Sequence, residues 1–344
     1  MKMNKIYVLI LSVIAFGMGM TSCLNDSMIE DQKYGLIDLD ANKIIELVAG
    51  GTHTVGITSL DQGKKDYMRE LRLAADQPAK EDIVVSLEVV SDRATILKEI
   101  RELLSDRYPK DGEDAVSDEE ILTFAASGIT VPATVTIPKG ERSVNFPVNI
   151  DTHLLKPTPQ FILVRIKSVD KPGYIVSGNF GQLLFDLKLK HQYEGRYVMT
   201  GTMEYLIPGS FFHVTYQYGL QFPGEDFTVQ LQTYDGQSIV MYDEIVFGDY
   251  IYPMSTATGF SGWGSFAPIF KFDAEGNVIA VTNYYGQPAG NTRSAQLDPA
   301  GVNKYDPATK SFQVSYWMVQ PNAVAAPPHY RTHMVETYTF LEDL

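Results

Sequence analysis

Thr134-Val135-Thr136-Ile137-Pro138-Lys139-Gly140, followed by Val144, Phe146, Val148 and Ile150 at alternate positions, is the stretch that decides the fold class. Strict alternation buries one face of an extended strand and leaves the other in water. Pro138-Lys139-Gly140 between the two runs has turn chemistry, because proline fixes φ and glycine tolerates positive φ. The β pattern continues on either side, with Ile83 to Val90 upstream and Phe161 to Val169 and Gln182 to Leu189 downstream. It is interrupted by Ala94 to Leu104, rich in Ile, Leu, Glu and Arg, and by Ser117-Asp118-Glu119-Glu120, a capping box placed before Ile121-Leu122. Residues 40–190 therefore read as a β-sandwich carrying a helical insertion at about 91–127.

Aromatic residues separate this region from the rest of the chain: 28 of the 39 Phe, Tyr and Trp lie from His191 onward. That shift sets a boundary near Lys190. Eight strands are expected beyond it: Arg196 to Leu206, Phe212 to Gln221, Phe227 to Tyr234, Ser238 to Phe247, Phe266 to Phe272, Asn277 to Tyr285, Ser311 to Val319 and Arg331 to Leu341. Eight strands close a small barrel. Tyr234-Asp235-Gly236-Gln237 and Asp273-Ala274-Glu275-Gly276-Asn277 read as hairpin turns with glycine at positive φ, so the barrel of residues 191–344 should be antiparallel.

Residues 1–22 read as a signal peptide, with Lys2 and Lys5 ahead of the uncharged apolar run Ile6 to Met20. That run is shorter than the roughly 20 residues a spanning helix needs. It ends in Met20-Thr21-Ser22-Cys23, which resembles a lipobox and implies lipidation of Cys23 and anchoring to a membrane. Residues 23–39 would be a tether. As the single cysteine, Cys23 leaves the body without a disulfide or a thiol nucleophile. Without Lys2 and Lys5 the chain has 26 basic against 42 acidic residues, a field that repels nucleic acid and anionic headgroups.

The segment from Ala126 to Leu189 resembles the immunoglobulin-like N-terminal module of lipoproteins and glycan-active proteins of Bacteroidetes polysaccharide-utilisation systems. The resembling elements are Val135 to Gly140, Val144 to Ile150, Phe161 to Ile166 and Tyr174-Ile175-Val176. Gly195-Arg196-Tyr197, Phe272 to Val278, Tyr305-Asp306-Pro307 with Phe312 to Tyr316, and Arg331 to Phe340 resemble the calycin-like C-terminal domain of the same lipoproteins. Acidic residues just after Cys23 resemble their surface-export signal. The resemblance implies a mostly β protein, an Ig-like sandwich followed by a calycin-like antiparallel barrel. It also implies an outer-membrane lipoprotein facing the cell exterior, an accessory to glycan uptake with a SusC/SusD-like transporter complex as partner.

Chemistry is expected at aromatic side chains, since flat rings stack on the C–H faces of sugars while polar neighbours bind the hydroxyls. The segment from Gly248 to Ser265 reads as a long loop bearing Tyr250, Tyr252, Phe260 and Trp263, which form a glycan platform unless Phe260 and Trp263 plug the barrel end. At the end of a strand, Tyr284-Tyr285 should expose one ring. Trp317, mid-strand, is expected in the core and is kept as a further candidate. His329 and His333, four apart on a strand, lie some 13 Å from each other, and Asp273 to Asn277 lacks the downstream glutamate of a calcium loop. No metal or cofactor is expected. There is no Gly-x-Ser-x-Gly elbow, His-Glu-x-x-His or phosphate-cradling loop; Asp243-Glu244, Asp249 and Glu225-Asp226 are the carboxylates that could supply a glycoside-hydrolase pair, and they read as solvated loop charges. The sequence thus points to a non-catalytic glycan-binding lipoprotein. A structural subunit of fimbrial type and a barrel carrying a small apolar ligand are the alternatives.

Overall fold

The computed structural model describes residues 43–50, 52–75, 77–207, 213–215, 226–256 and 259–344, with backbone only at 213–215, 255–256 and 259–260. Cys23 and its tether lie outside the described residues. The strands before residue 190 are β1 (Lys43–Val48), β2 (Thr54–Ser59), β3 (Lys64–Ala74), β4 (Ile83–Val90), β5 (Leu122–Thr123), β6 (Ile129–Thr130), β7 (Thr134–Ile137), β8 (Ser143–Asp151), β9 (Gln160–Val169), β10 (Tyr174–Val176) and β11 (Gln182–Leu189). They form two sheets, β10-β1-β3-β8-β6 and β2-β11-β9-β4-β7, with β5 beside β9. Val135 and Ile137, and Phe146, Val148 and Ile150, are buried in the core the two sheets share, while Thr134, Thr136, Asn145 and Pro147 face outward. The intervening turn, with Gly140 at φ +88°, passes the chain from one sheet to the other: β7 pairs with β4, β8 with β3 and β6.

The insertion has a clear packing role. Helix α1 (Arg93–Leu103) is capped by Asp92, whose carboxylate accepts from Thr95 N at 2.9 Å. Its Ile96 and Ile100 are buried against the outer face of β9 and β11. Phe161, Ile162, Leu163 and Val164 are consequently buried on both faces of β9, which is why the run is continuous rather than alternating. The Ser117 capping box forms, with Ser117 N and Oγ donating to Glu120 Oε2, but no helix follows it. Leu122 and Thr123 instead pair in parallel with β9.

Beyond residue 190 come β12 (Gly195–Tyr205), β13 (His213–Thr215), β14 (Thr228–Asp235), β15 (Ser238–Tyr242), β16 (Tyr252–Thr256), β17 (Gly259–Trp263), β18 (Pro268–Phe272), β19 (Val278–Asn283), β20 (Ser294–Leu297), β21 (Lys304–Asp306), β22 (Ser311–Val319) and β23 (Tyr330–Glu342). Eight of them run β19-β18-β15-β14-β12-β23-β22-β20 in a nearly closed barrel, all pairs antiparallel. The barrel has the expected eight strands with one exchanged: β20 is a wall strand, whereas from the Phe212 to Gln221 run only β13 is described as strand, paired to β12 off the main path. The gap beside β19 is closed by Gln287, whose amide bonds both Ala295 of β20 and Asn283, and by the backbone bridge Asn277↔Lys304 to β21.

The interior is filled. Tyr197, Phe270, Phe312, Tyr316 and Tyr338 are at most 1% exposed, with Phe312 stacked on Tyr338 at 4.7 Å and Phe270 edge-on to both. Each such ring contributes about 1.5–3 kcal/mol by leaving water. Glu336, 1% exposed, also points inward, where its carboxyl accepts from the hydroxyls of Tyr252, Tyr316 and Tyr338. Of the two hairpin glycines, Gly276 has the expected positive φ (+79°). Gly236 does not; it is needed because a Cβ there would lie 2.1 Å from Asp61 Oδ2 of the sandwich.

Candidate functional site

The outer wall of the barrel carries a tyrosine patch, and its construction begins with a buried acid. After β15 the chain turns back because the Asp243 carboxylate, 1% exposed, accepts from Ile245, Val246 and Phe247 N, while Asp243 and Asp249 bridge through their backbones. Burial raises the Asp243 carboxyl above its usual range, against those three N–H donors. This turn sets Tyr250 over Val240, Ala267 and Ile269, a small apolar cluster on the outside of the wall. The Tyr250 ring stacks on Tyr284 at 4.2 Å and 18°, meets Tyr242 edge-on at 5.2 Å, and donates its hydroxyl to Gln232 Oε1 at 2.8 Å.

Tyr234, Tyr284 and Tyr285 are the exposed members, at 44, 38 and 38%. Tyr284 contacts Tyr234 at 6.3 Å and Tyr285 at 5.3 Å, both nearly perpendicular. The patch thus offers rings in more than one orientation, bordered by Gln232 and the exposed Asp249. Burial raises the phenols of Tyr250 and Tyr285 above the ordinary tyrosine range, and neighbouring tyrosines and Asp249 add to the effect. Both hydroxyls therefore stay protonated donors at neutral pH.

The expected site residues separate into distinct places. Tyr250, Tyr284 and Tyr285 come together. Both Tyr284 and Tyr285 are exposed, not one, because β19 ends at Asn283 and they occupy the following turn. Tyr252 is corrected to a core residue: it is fully buried with its hydroxyl on Glu336, so no ring face is open to a ligand. The stretch from Gly248 to Ser265 is not one loop, since β16 and β17 pair as a hairpin within it. Phe260 pairs with Ser255 on that hairpin, and its side chain lies outside the described residues. Trp263 packs against the barrel core at its end, parallel to Tyr205 at 6.1 Å with its Nε1 donating to Met203 Sδ, which is the plug arrangement. Trp317 is not in the core; Tyr316 and Met318 point inward, so it faces outward, stacked with Tyr330 at 4.4 Å and His333 at 5.3 Å. Tyr234, Tyr242 and Gln232 were not singled out from the sequence. The alternation Val229, Leu231, Thr233 along β14 is the signal that sends Gln232 and Tyr234 outward.

Three side chains beside Trp317 have the composition of a hydrolase triad without its geometry. Ser315 Oγ and Asp298 Oδ2 each lie 3.0 Å from the same His333 nitrogen, Nε2, and 3.1 Å from each other. A relay needs acid and nucleophile on opposite imidazole nitrogens. Burial alone would raise the Asp298 carboxyl, but bonds from Ala300 N, His333 and Ser315 hold it below the usual range. The other carboxylates are also occupied: Glu244 pairs with Arg196 and accepts from Gln230, and Asp273 accepts from Glu275 N, Asn277 N and Asn277 Nδ2 within its turn. His329 bonds Val324 O from a turn, apart from His333 on its strand. Among the described residues no group of three His, Cys, Asp or Glu could hold a metal ion.

No family model matches the chain, and no curated protein matches it. Solved structures do. A Bacteroides ovatus protein of unknown function aligns over 88% of this chain and 95% of its own, with TM-score 0.50 and 14% identity. A second of the same description aligns over 87 and 94%, at TM-score 0.46 and 13%. A third B. ovatus protein, named provisionally as carbohydrate binding, aligns over 87 and 99% at TM-score 0.33 and 10%. At these identities the likeness is one of fold: this chain is similar in architecture to mostly β Bacteroides proteins of unknown function.

Proposed function

We propose that this protein is a non-catalytic glycan-binding lipoprotein, anchored by Cys23 to the outer membrane and presenting the tyrosine patch to oligo- or polysaccharide for a glycan-uptake system. The observation that carries this reading is the contiguous exposure of Tyr234, Tyr284 and Tyr285, braced by Tyr250. Exposed large aromatics are costly to leave in water unless something covers them, and rings bordered by amide and carboxylate groups suit sugars. The mismatched Ser315–His333–Asp298 geometry and the occupied carboxylates favour binding over hydrolysis. The filled interior argues against a small apolar ligand inside the barrel.

Affinity electrophoresis of the full-length protein through gels containing plant and host polysaccharides tests the reading, with the double variant Tyr284→Ala/Tyr285→Ala run alongside. Retardation by one glycan class that disappears in the variant is the expected result. Absence of retardation in every gel would move the weight to a structural envelope subunit. Metabolic labelling with a palmitate analogue, lost in Cys23→Ser, tests the anchor separately.

A further inference from the structure

At the barrel end marked by the close of β12 and the start of β23, two arginines converge with no acid between them among the described residues. Arg331 donates NH2 to Tyr205 Oη at 3.1 Å and NH1 to Gln320 Oε1; Arg293 Nε reaches the same Gln320 oxygen at 3.5 Å, and its NH1 donates to Gly264 O. Their guanidinium carbons lie 4.4 and 5.0 Å from the Trp263 ring centroid. Neither forms an ion pair among the described residues, and Arg331 Nε is buried with no acceptor. Arg196, by contrast, meets both Glu244 and Glu342. Burial lowers the Arg293 guanidinium below its ordinary range, and the charge of Arg331 lowers it further.

Two cations sharing one neutral oxygen, in a chain of net charge −14, leave a repulsion that an anion would relieve. Guanidinium forks match carboxylate and sulfate oxygens in pairs. We propose that Arg293 and Arg331 form an oxyanion site, and that its ligand is the carboxylate or sulfate group of an acidic polysaccharide. Only the saccharide part of that ligand rests on the glycan reading above; the oxyanion chemistry rests on the barrel rim alone. The indole of Trp263, within 5.0 Å of both guanidinium carbons, completes the site and so also reports on occupancy.

The test uses the full-length protein and four probes at one ionic strength: oligogalacturonate, carrageenan oligosaccharide, neutral galactan oligosaccharide and inorganic sulfate. Titration calorimetry is combined with Trp263 fluorescence in a Trp317→Phe background, and thermal melts show that Arg293→Gln and Arg331→Gln are folded. At least one acidic probe should bind about tenfold or more tightly than the neutral one and lose that advantage in both variants. Oligogalacturonate alone would identify a carboxylate, carrageenan alone a sulfate. A Trp263 response to sulfate that depends on Arg331, with no oligosaccharide bound, would keep the oxyanion site and remove the glycan reading. Equal binding of acidic and neutral probes, full affinity in folded Arg→Gln variants, or no response to any anion would overturn the site.

Discussion

Replacing Tyr250 with alanine should disarm the tyrosine patch while leaving the barrel folded. A wholly buried tyrosine covers about 150–250 Å²; Tyr250 is half-buried, so about 100 Å² is uncovered on truncation, worth roughly 2.5 kcal/mol. The hydroxyl bond to Gln232 adds about 0.5–1.5 kcal/mol, giving a total near 3 kcal/mol. Because the apolar cluster under the ring, Val240, Ala267 and Ile269, is separate from the barrel interior, the loss belongs to opening of residues 243–251 and not to global unfolding. Hydrogen exchange at the amides of Ile245, Val246 and Phe247, which donate to Asp243, should accelerate about a hundredfold, since each ~1.4 kcal/mol is tenfold. Retention on glycan gels should fall with it, because Tyr284 loses the ring it stacks on. Tyr250→Phe separates the two terms and should raise exchange no more than about tenfold. Unchanged exchange and unchanged retention in Tyr250→Ala would refute the idea that this ring braces the patch.

Tyr252→Phe should lower stability by about 1–2 kcal/mol, through the lost bond to Glu336, with glycan retention intact; chemical denaturation and affinity gels read the two effects. Gly201→Ala should be far more damaging, because φ is +135° and the new Cβ would sit 2.1 Å from Val335 O across the β12–β23 pair. Strain and overpacking together make about 3 kcal/mol or more, a fall in Tm on the order of 10 °C in calorimetry. His191, 4% exposed, has its pKa lowered by burial to about 4. The folded state therefore disfavours protonation, and stability should be full above about pH 6.5 and decline by roughly 3 kcal/mol as pH falls toward 4. Urea titrations of His191→Gln should show a flatter profile over that window.

Much of this architecture can be read directly from side-chain periodicity. The alternation around Val144 to Ile150 and along Ser311 to Val319 identifies both strand and inward face. The exceptions have local causes. β20 escapes notice because Ala295 is its one buried residue, too weak a pattern to stand out among polar neighbours. Tyr250 and Tyr252 look equivalent in a run of Tyr, Ile and Pro, and only the fold-back imposed by Asp243 sends one ring to the outer wall and the other onto Glu336. Tyr234 meets Tyr284 across four strands of sheet, a neighbourhood that no local window contains. The arginine pair is likewise beyond any local window, joined through Gln320 between residues 293 and 331.

The pairing of β12 with β23, Arg196 with Glu342 at one end and Tyr205 with Thr332 at the other, also fixes when this barrel can exist. Its first wall strand is synthesised early and waits for its central partner until residue 342 has left the ribosome. The ends of so long a loop meet slowly, and non-local sheets fold late for that reason. For a lipoprotein exported unfolded, as the proposed anchor at Cys23 requires, that delay is useful: β12 cannot complete its wall in transit. The same delay leaves β12 and its aromatic neighbours exposed meanwhile, with an unpaired strand edge that is prone to aggregate until the wall is complete.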